Sequence, residues 1–227
     1  MARKMKRTVI LGDFHSPWFS RPALAKAIEL IEAVRPDFVV QAGDLYDFYS
    51  FSRYARSHNV ITPALEVKQG RKHALEMWNQ VRRASPSSKC FQIRGNHDVR
   101  AEERVAEALP VVESLLNVRE LFLFDGVETI MDPTEELILD GVVFQHGFRS
   151  KLGDHAKFNQ RSTVVGHSHT GGVVFYRNFD GIYWELNAGW LGDETAPVFR
   201  YRPQNKLSTW TRGAGLIDEL GPRFVLF

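Results

Sequence analysis

The sequence predicts an α/β fold in which short strands and amphipathic helices alternate and stack in layers. Three observations predict it. In the first half, β-branched apolar runs precede longer stretches with helical spacing. The composition, 44% hydrophobic and 25% charged over 227 residues, is that of an ordinary globular chain able to bury a substantial core. No linker-like Gly/Ser/Pro tract, internal repeat or low-complexity segment divides the chain, so residues 1–227 are expected to form one domain.

The elements follow in order. Thr8 to Leu11 reads as a first strand. Ser20 and Pro22 open a helix in which Leu24, Ala27, Ile28, Ile31 and Val34 recur at helical spacing until Pro36. Phe38 to Gln41 is the second strand. Thr62 and Pro63 open a longer helix towards Arg83, with Gly70 as its weak point. Cys90 to Ile93 is the third strand, and a helical stretch follows from about Val99 to Leu116. The pattern then turns strand-rich, with runs at Leu137 to Leu139, Val142 to Gln145, Thr163 to Val165, Val173 to Tyr176 and Ile182 to Leu186, and a last strand at Phe224 to Phe227.

Bulk properties exclude several classes. Cys90 is the only cysteine, which rules out an intrachain disulfide and a thiolate-based zinc site. The basic start, Arg3, Lys4, Lys6 and Arg7, is followed by an apolar run that ends at Gly12 and Asp13, too short for a signal peptide. No segment is long and apolar enough for a membrane span. A cytoplasmic protein is expected. A net charge of +2 names no polyanion partner.

Polar residues stand where the apolar strands stop: Asp13 and His15 after the first, Asp44 after the second and Asn96 after the third. His146 follows Val142 to Gln145, while His167 and His169 follow Thr163 to Val165. Five strands thus deliver seven candidate ligands, with Gly12, Gly43, Gly95, Gly147 and Gly166 beside them to shape the turns. Two nearby dications repel, and a shared carboxylate offers one oxygen to each, a bridging role suited to Asp44. Carboxylate, amide and imidazole without thiolate suit two divalent ions, manganese first, with iron, zinc or nickel open. The remaining histidines, His58, His73 and His155, read as ordinary surface residues.

A histidine or aspartate after a strand, taken singly, is most often a turn or capping residue. Five blocks in order carry more: Asp13-Phe-His15, Gly43-Asp44-Leu-Tyr-Asp47, Gly95-Asn96-His97-Asp98, His146-Gly147 and Gly166-His167-Ser-His169. With them the chain resembles the calcineurin-like metallophosphoesterases, and the segments Asp44 to Tyr54 and Tyr183 to Gly192 resemble small stand-alone members common in phage genomes. The resemblance implies a four-layer sandwich, two mixed β-sheets flanked by helices. It implies that Asp13, His15 and His169 hold one metal, that Asn96, His146 and His167 hold the other, and that Asp44 bridges. A water between the dications would be the nucleophile. His97 would face the substrate as acid or charge stabiliser, with Asp47 orienting it and favouring its protonated form. Arg94 matches an arginine that related protein phosphatases use to grip phosphate; a plain strand-end surface charge is its alternative. Asp98 is either a residue supporting the ligands or a helix N-cap.

The resemblance also implies a phosphate-ester substrate. Tyr49, Arg53, Tyr54 and Arg56 interleave rings and cations beside the site, as binding of single-stranded nucleic acid requires. Alternatively, Phe48, Phe51 and Ala55 fall at helical spacing, and one face of a helix packs on the core. Arg200, Tyr201, Arg202, Lys206, Trp210 and Arg212 repeat the theme near the end. The short intervals between blocks leave no room for a large cap. A phosphodiesterase or nuclease is the leading expectation, ahead of a phosphomonoesterase and a non-catalytic metal-binding scaffold.

Overall fold

A computed structural model describes residues 6–54, 60–108, 110, 117–199 and 209–227. The first half forms a parallel array because each strand returns through a helical crossover. Strands β1 (Thr8–Leu11), β2 (Phe38–Gln41), β3 (Lys89–Ile93) and β4 (Val127–Ile130) run side by side in that order. On the free side of β1, the last two strands, β10 (Gly213–Asp218) and β11 (Gly221–Leu226), add antiparallel and complete a six-stranded mixed sheet. The second sheet has five strands in the order β5 (Leu137–Leu139), β6 (Val142–Phe144), β7 (Thr163–Val165), β9 (Gly181–Asn187) and β8 (Gly172–Asn178). Here β6, β7 and β9 are parallel, while β5 and β8 are antiparallel edges.

The two-residue period of the strands decides what each face meets. Val9, Leu11 and Val39 pack with the apolar stripes of α1 (Arg21–Val34) and α2 (Pro63–Ala84). Ile10, Val40 and Ile93 point the other way and pack on Phe144, Val164 and Leu186 of the second sheet. The short helix α4 (Asp154–Asn159) covers β7 and β9 on the far side. Helices, sheet, sheet and helix make the expected four layers. No helix among the described residues is long and apolar enough to cross a membrane.

Local signals explain the helix ends. The Ser20 side chain accepts from the Ala23 amide at 3.3 Å, and α1 closes at Arg35 in a left-handed conformation. Gly70, a liability of about 1 kcal/mol inside a helix, lets α2 approach the site: a Cβ there would lie 3.0 Å from the Tyr46 ring, and its carbonyl accepts from Ser16 Oγ at 3.0 Å. The third helix, α3, spans Arg100–Ala108; most of the stretch on to Leu116 lies outside the described residues. After Phe48 there is one 3-10 turn, Tyr49–Phe51, in place of a longer helix. Its amides at Tyr49 and Ser50 donate to the buried Glu66 carboxylate of α2 (2.6 and 2.8 Å).

Candidate metal centre and its cavity

All seven ligand candidates leave the C-terminal ends of parallel strands, β1, β2 and β3 in one sheet and β6 and β7 in the other. Both sheets therefore aim them at one point. The loops are tied together: Phe14 and His15 donate their amides to the Asp44 carbonyl (3.0 and 2.9 Å), and His167 donates its amide to both Asp13 oxygens (3.0 and 3.1 Å). His15, Asp44, His167 and His169 hold left-handed backbone angles, φ 50°, 50°, 65° and 59°. Such strain in residues other than glycine persists where surrounding contacts enforce it, and it clusters at functional sites. Gly95 and Gly166 allow the closest approaches, since a Cβ at either would overlap the Asp44 or Asp13 carboxylate.

Two groups of donors result. In the first, the Nε2 atoms of His15 and His169 lie 2.9 Å apart, and Asp13 Oδ2 lies 2.8 Å from that of His169. In the second, Asn96 Oδ1 stands between His146 Nε2 at 3.1 Å and His167 Nδ1 at 2.8 Å. Asp44 Oδ2 faces both, 4.0 Å from His15 Nε2 and 3.3 Å from His146 Nε2.

The far nitrogens show which donor atoms are free to bind a cation. His15 Nδ1 donates to Asp47 Oδ1 at 2.9 Å and His146 Nδ1 to the Ala42 carbonyl at 2.9 Å, so each turns its Nε2 lone pair inward. Electron-pair donors crowded this closely fit a divalent cation, and the all-N/O set suits first-row metals. The electrostatics agree. Burial works against charge on His146, yet Asp44 and Asp13 push its pKa up to about 10, and the same field attracts a dication. Burial alone would raise Asp13, but His169 and His146 hold it below the usual carboxylate range. His169 is pushed down to about 4 by burial, against the pull of Asp13.

Asp47 and His97 come together as expected, with a partner that was not. One oxygen, Asp47 Oδ1, receives Nδ1 of both His97 (3.0 Å) and His15 (2.9 Å), which joins the expected acid to the first donor group. Despite burial, these two contacts hold Asp47 well below the usual carboxylate range. Asp47 pulls towards the protonated form of His97, as Asp44 does, but burial, with help from Arg100, outweighs both and lowers the His97 pKa. His97 Nε2 lies 2.7 Å from Arg100 Nη2, and a guanidinium only donates, so this nitrogen is an acceptor. Asp98 supports the ligand loops. Its carboxylate accepts from Gly95, Tyr46 and Leu45 (2.8, 2.8 and 3.2 Å), binding the Asp44 and Asn96 turns to each other. Burial and Asp44 push it up to about 7 against those amides.

The groups form the floor of a cavity of about 660 Å³, whose walls include Tyr49, Ser52, Tyr54, Arg100, Ser150, Phe199 and Trp210. Several sequence expectations change here. Arg94 is neither a phosphate grip nor a surface charge: it is 3% exposed, ion-paired with Glu102, and bonded to the Met131 and Asp98 carbonyls at 3.1 and 3.0 Å. Arg53 turns to α3 and pairs with Glu103 and Glu107 (3.5 and 2.6 Å), away from the cavity lining. Tyr54 is 79% exposed at the rim, while Tyr49 is half-buried against the Trp190 cluster. Arg56, like Arg200, Tyr201, Arg202 and Lys206, lies outside the described residues. Trp210 is buried edge-on against the His169 ring, with ring centres 4.2 Å apart, and Arg212 pairs with Glu194.

The sequence reading missed five supports. Arg100 lines the cavity. Asn187 at the end of β9 donates to the Gly166 carbonyl and Ser168 Oγ (2.7 and 2.9 Å), holding the His167 turn. Phe199 meets the His15 ring at 5.6 Å and Trp190 stacks on His169 at 5.1 Å. His155, expected at the surface, is 1% exposed; its Nε2 accepts from the Phe148 and Arg149 amides (3.0 and 3.1 Å) just after His146. Only Arg100 had a usable signal, a cation two residues past the Gly95–Asp98 block and at the start of a helix, where the macrodipole disfavours it.

The family model of the calcineurin-like phosphoesterases matches residues 6–220. The chain belongs to this family. It is a phosphoesterase, a hydrolase of phosphate esters from a family that uses divalent metals. The Gene 54 protein of Mycobacterium phage D29 is 26% identical over 230 residues, covering 93% of this chain and 88% of that protein. Its counterpart in Mycobacterium phage L5 is 28% identical over 207 residues, 81% and 78% of the two chains. Among solved structures, YfcE, a phosphoesterase from E. coli, aligns at 18% identity over 94% of this chain and 88% of its own, with a TM-score of 0.43.

Proposed function

We propose that this phosphoesterase is a phosphodiesterase that cleaves single-stranded nucleic acid at a centre of two divalent ions, manganese foremost. Asp13, His15 and His169 would hold one ion, Asn96, His146 and His167 the other, with Asp44 shared. The observation that carries the reading is the pair of N/O donor groups facing one carboxylate oxygen, Asp44 Oδ2, on the floor of a cavity with an aromatic rim. When bound, two such ions supply Lewis acidity that activates water and neutralises charge on the phosphoryl oxygens.

The chain's own residues do the rest. Asp47 fixes the His97 ring through Nδ1 and turns Nε2 to the cavity; this nitrogen accepts from Arg100 and exchanges a proton with an ester oxygen once the guanidinium turns from it to the phosphate. Tyr54 at the rim, with Tyr49 behind it, offers a ring face to an unpaired base; a duplex keeps its base faces within its own stack. The complete donor set argues against a scaffold without activity.

The test is a panel of aryl monoester, aryl diester, single-stranded and duplex DNA and RNA, assayed with manganese across salt concentrations. Faster cleavage of single strands than of duplex is expected. Turnover confined to monoesters overturns the diesterase reading.

A further inference from the structure

We infer that Arg100 is the residue that binds the substrate phosphate, by a guanidinium bond to a non-bridging oxygen. This rests on the proposed function above, since it takes the cavity floor to be where the phosphate lies.

The argument starts from charge. Four other described arginines spend their charge on carboxylates: Arg53 pairs with Glu103 and Glu107, Arg94 with Glu102, Arg212 with Glu194 and Arg223 with Asp218. Among the described residues, no carboxylate lies within 4.0 Å of the Arg100 guanidinium. Its bonds go to neutral acceptors, Nη1 to the Asp47 carbonyl at 3.0 Å and Nη2 to His97 Nε2 at 2.7 Å. A guanidinium cannot shed its proton at ordinary pH, so a half-buried positive charge stands beside the cavity with no carboxylate among the described residues at ion-pair distance.

Position makes that charge useful. Arg100 opens α3, its amide bonded to the His97 carbonyl at 3.1 Å, and its side chain lines the same cavity as Asp44, Asn96, His97 and His167. The Asp47 carbonyl anchors one edge of the fork, while the remaining N–H groups of its five are available to an anion. The rest of the floor is built of cation ligands. A phosphate there needs a fixed cation beyond the metals, and Arg100 is placed to be it. Arg94, six residues earlier, cannot be, because its charge is already cancelled by Glu102.

Binding of inorganic phosphate to the manganese-loaded protein, with kinetics on an aryl diester, tests this. Arg100→Gln keeps a side chain able to donate to the Asp47 carbonyl but removes the charge. It should weaken phosphate binding and raise KM by about 10- to 100-fold, the range for a charge-assisted bond, with both metals and the melting temperature kept. Arg100→Lys should recover part of the loss, and guanidinium ion at non-denaturing concentration should improve phosphate binding to Arg100→Ala but not to the parent. Unchanged phosphate affinity in Arg100→Gln overturns the inference. So does loss of metal from both Arg100→Gln and Arg100→Ala, which marks a structural role. A parent protein that cleaves esters while Arg100→Gln binds phosphate normally leaves the proposed function standing and sinks this inference alone. A parent that binds no phosphate and cleaves nothing sinks both.

Discussion

The two donor groups share Asp44 but differ in how far they are closed. Asp13 and His15 are fully buried and His169 is 6% exposed, with Phe199, Trp190 and Trp210 packed behind the imidazoles. In the other group only His146 is buried; Asn96 is exposed and His167 half-exposed. A packed environment fixes rotamers and excludes water, so the first group is shaped before any ion arrives. Both groups border the cavity, but the second presents its ligands to it with less cover. The arginines repeat the contrast: Arg94 is neutralised in the interior, while Arg100 lines the cavity and has no carboxylate partner among the described residues.

Breaking the shared residue should have the largest effect. Asp44→Asn leaves two dications without the carboxylate that offsets their repulsion, and turnover should fall to background with metal lost from both groups. Metal analysis of the purified variant decides it; near-full occupancy of both positions breaks the bridging assignment. Next, the open group should release its ion first. Stepwise chelation is expected to proceed in two phases, and His167→Ala should retain about one ion per chain, the bridging and closed positions surviving. A single release phase in the parent would show the groups to be equally closed. Asp47→Asn comes third, with activity lower by about 10- to 100-fold as His15 and His97 lose their shared partner. A pH–rate profile together with metal affinity separates its two effects. Arg94→Ala should cost about 2 kcal/mol of stability, through the stranded Glu102 and two unpaired carbonyls. Its phosphate affinity should equal the parent's, by calorimetry, where Arg100 variants fail. The smallest effect belongs to Tyr54→Ala, which should weaken single-strand binding by about 1 kcal/mol without altering small aryl diesters. Equal losses on both substrates would remove stacking from the account.

What could be read in advance was local. Each ligand candidate follows an apolar run directly, and the turn glycines mark where the chain must bend, so Asp13, His15, Asp44, Asn96, His146, His167 and His169 stood out. The strands β4 and β10 did not. β10 reads Gly-Ala-Gly-Leu-Ile-Asp, and its glycines hide the apolar alternation; yet a Cβ on Gly215 would lie 3.0 Å from Leu186 of β9, so the small residue is what lets the second sheet pack closely over this strand. The edge strand β4, with only partly buried side chains, carries too little apolar signal to separate from a loop.

By itself, the sequence determined the layered α/β class, the order of the site blocks and the chemistry of the donor set, because periodicity and residue type are properties of neighbouring positions. Only the tertiary structure decided which charge is spent. Arg94 finds Glu102 one helix away, and Arg53 finds Glu103 and Glu107. Asp47 serves His15 from 32 residues along the chain as well as His97, and Arg100 is left facing the cavity. Electrostatic partners depend on distance and burial in space, and both arise when the two sheets bring their strand ends together.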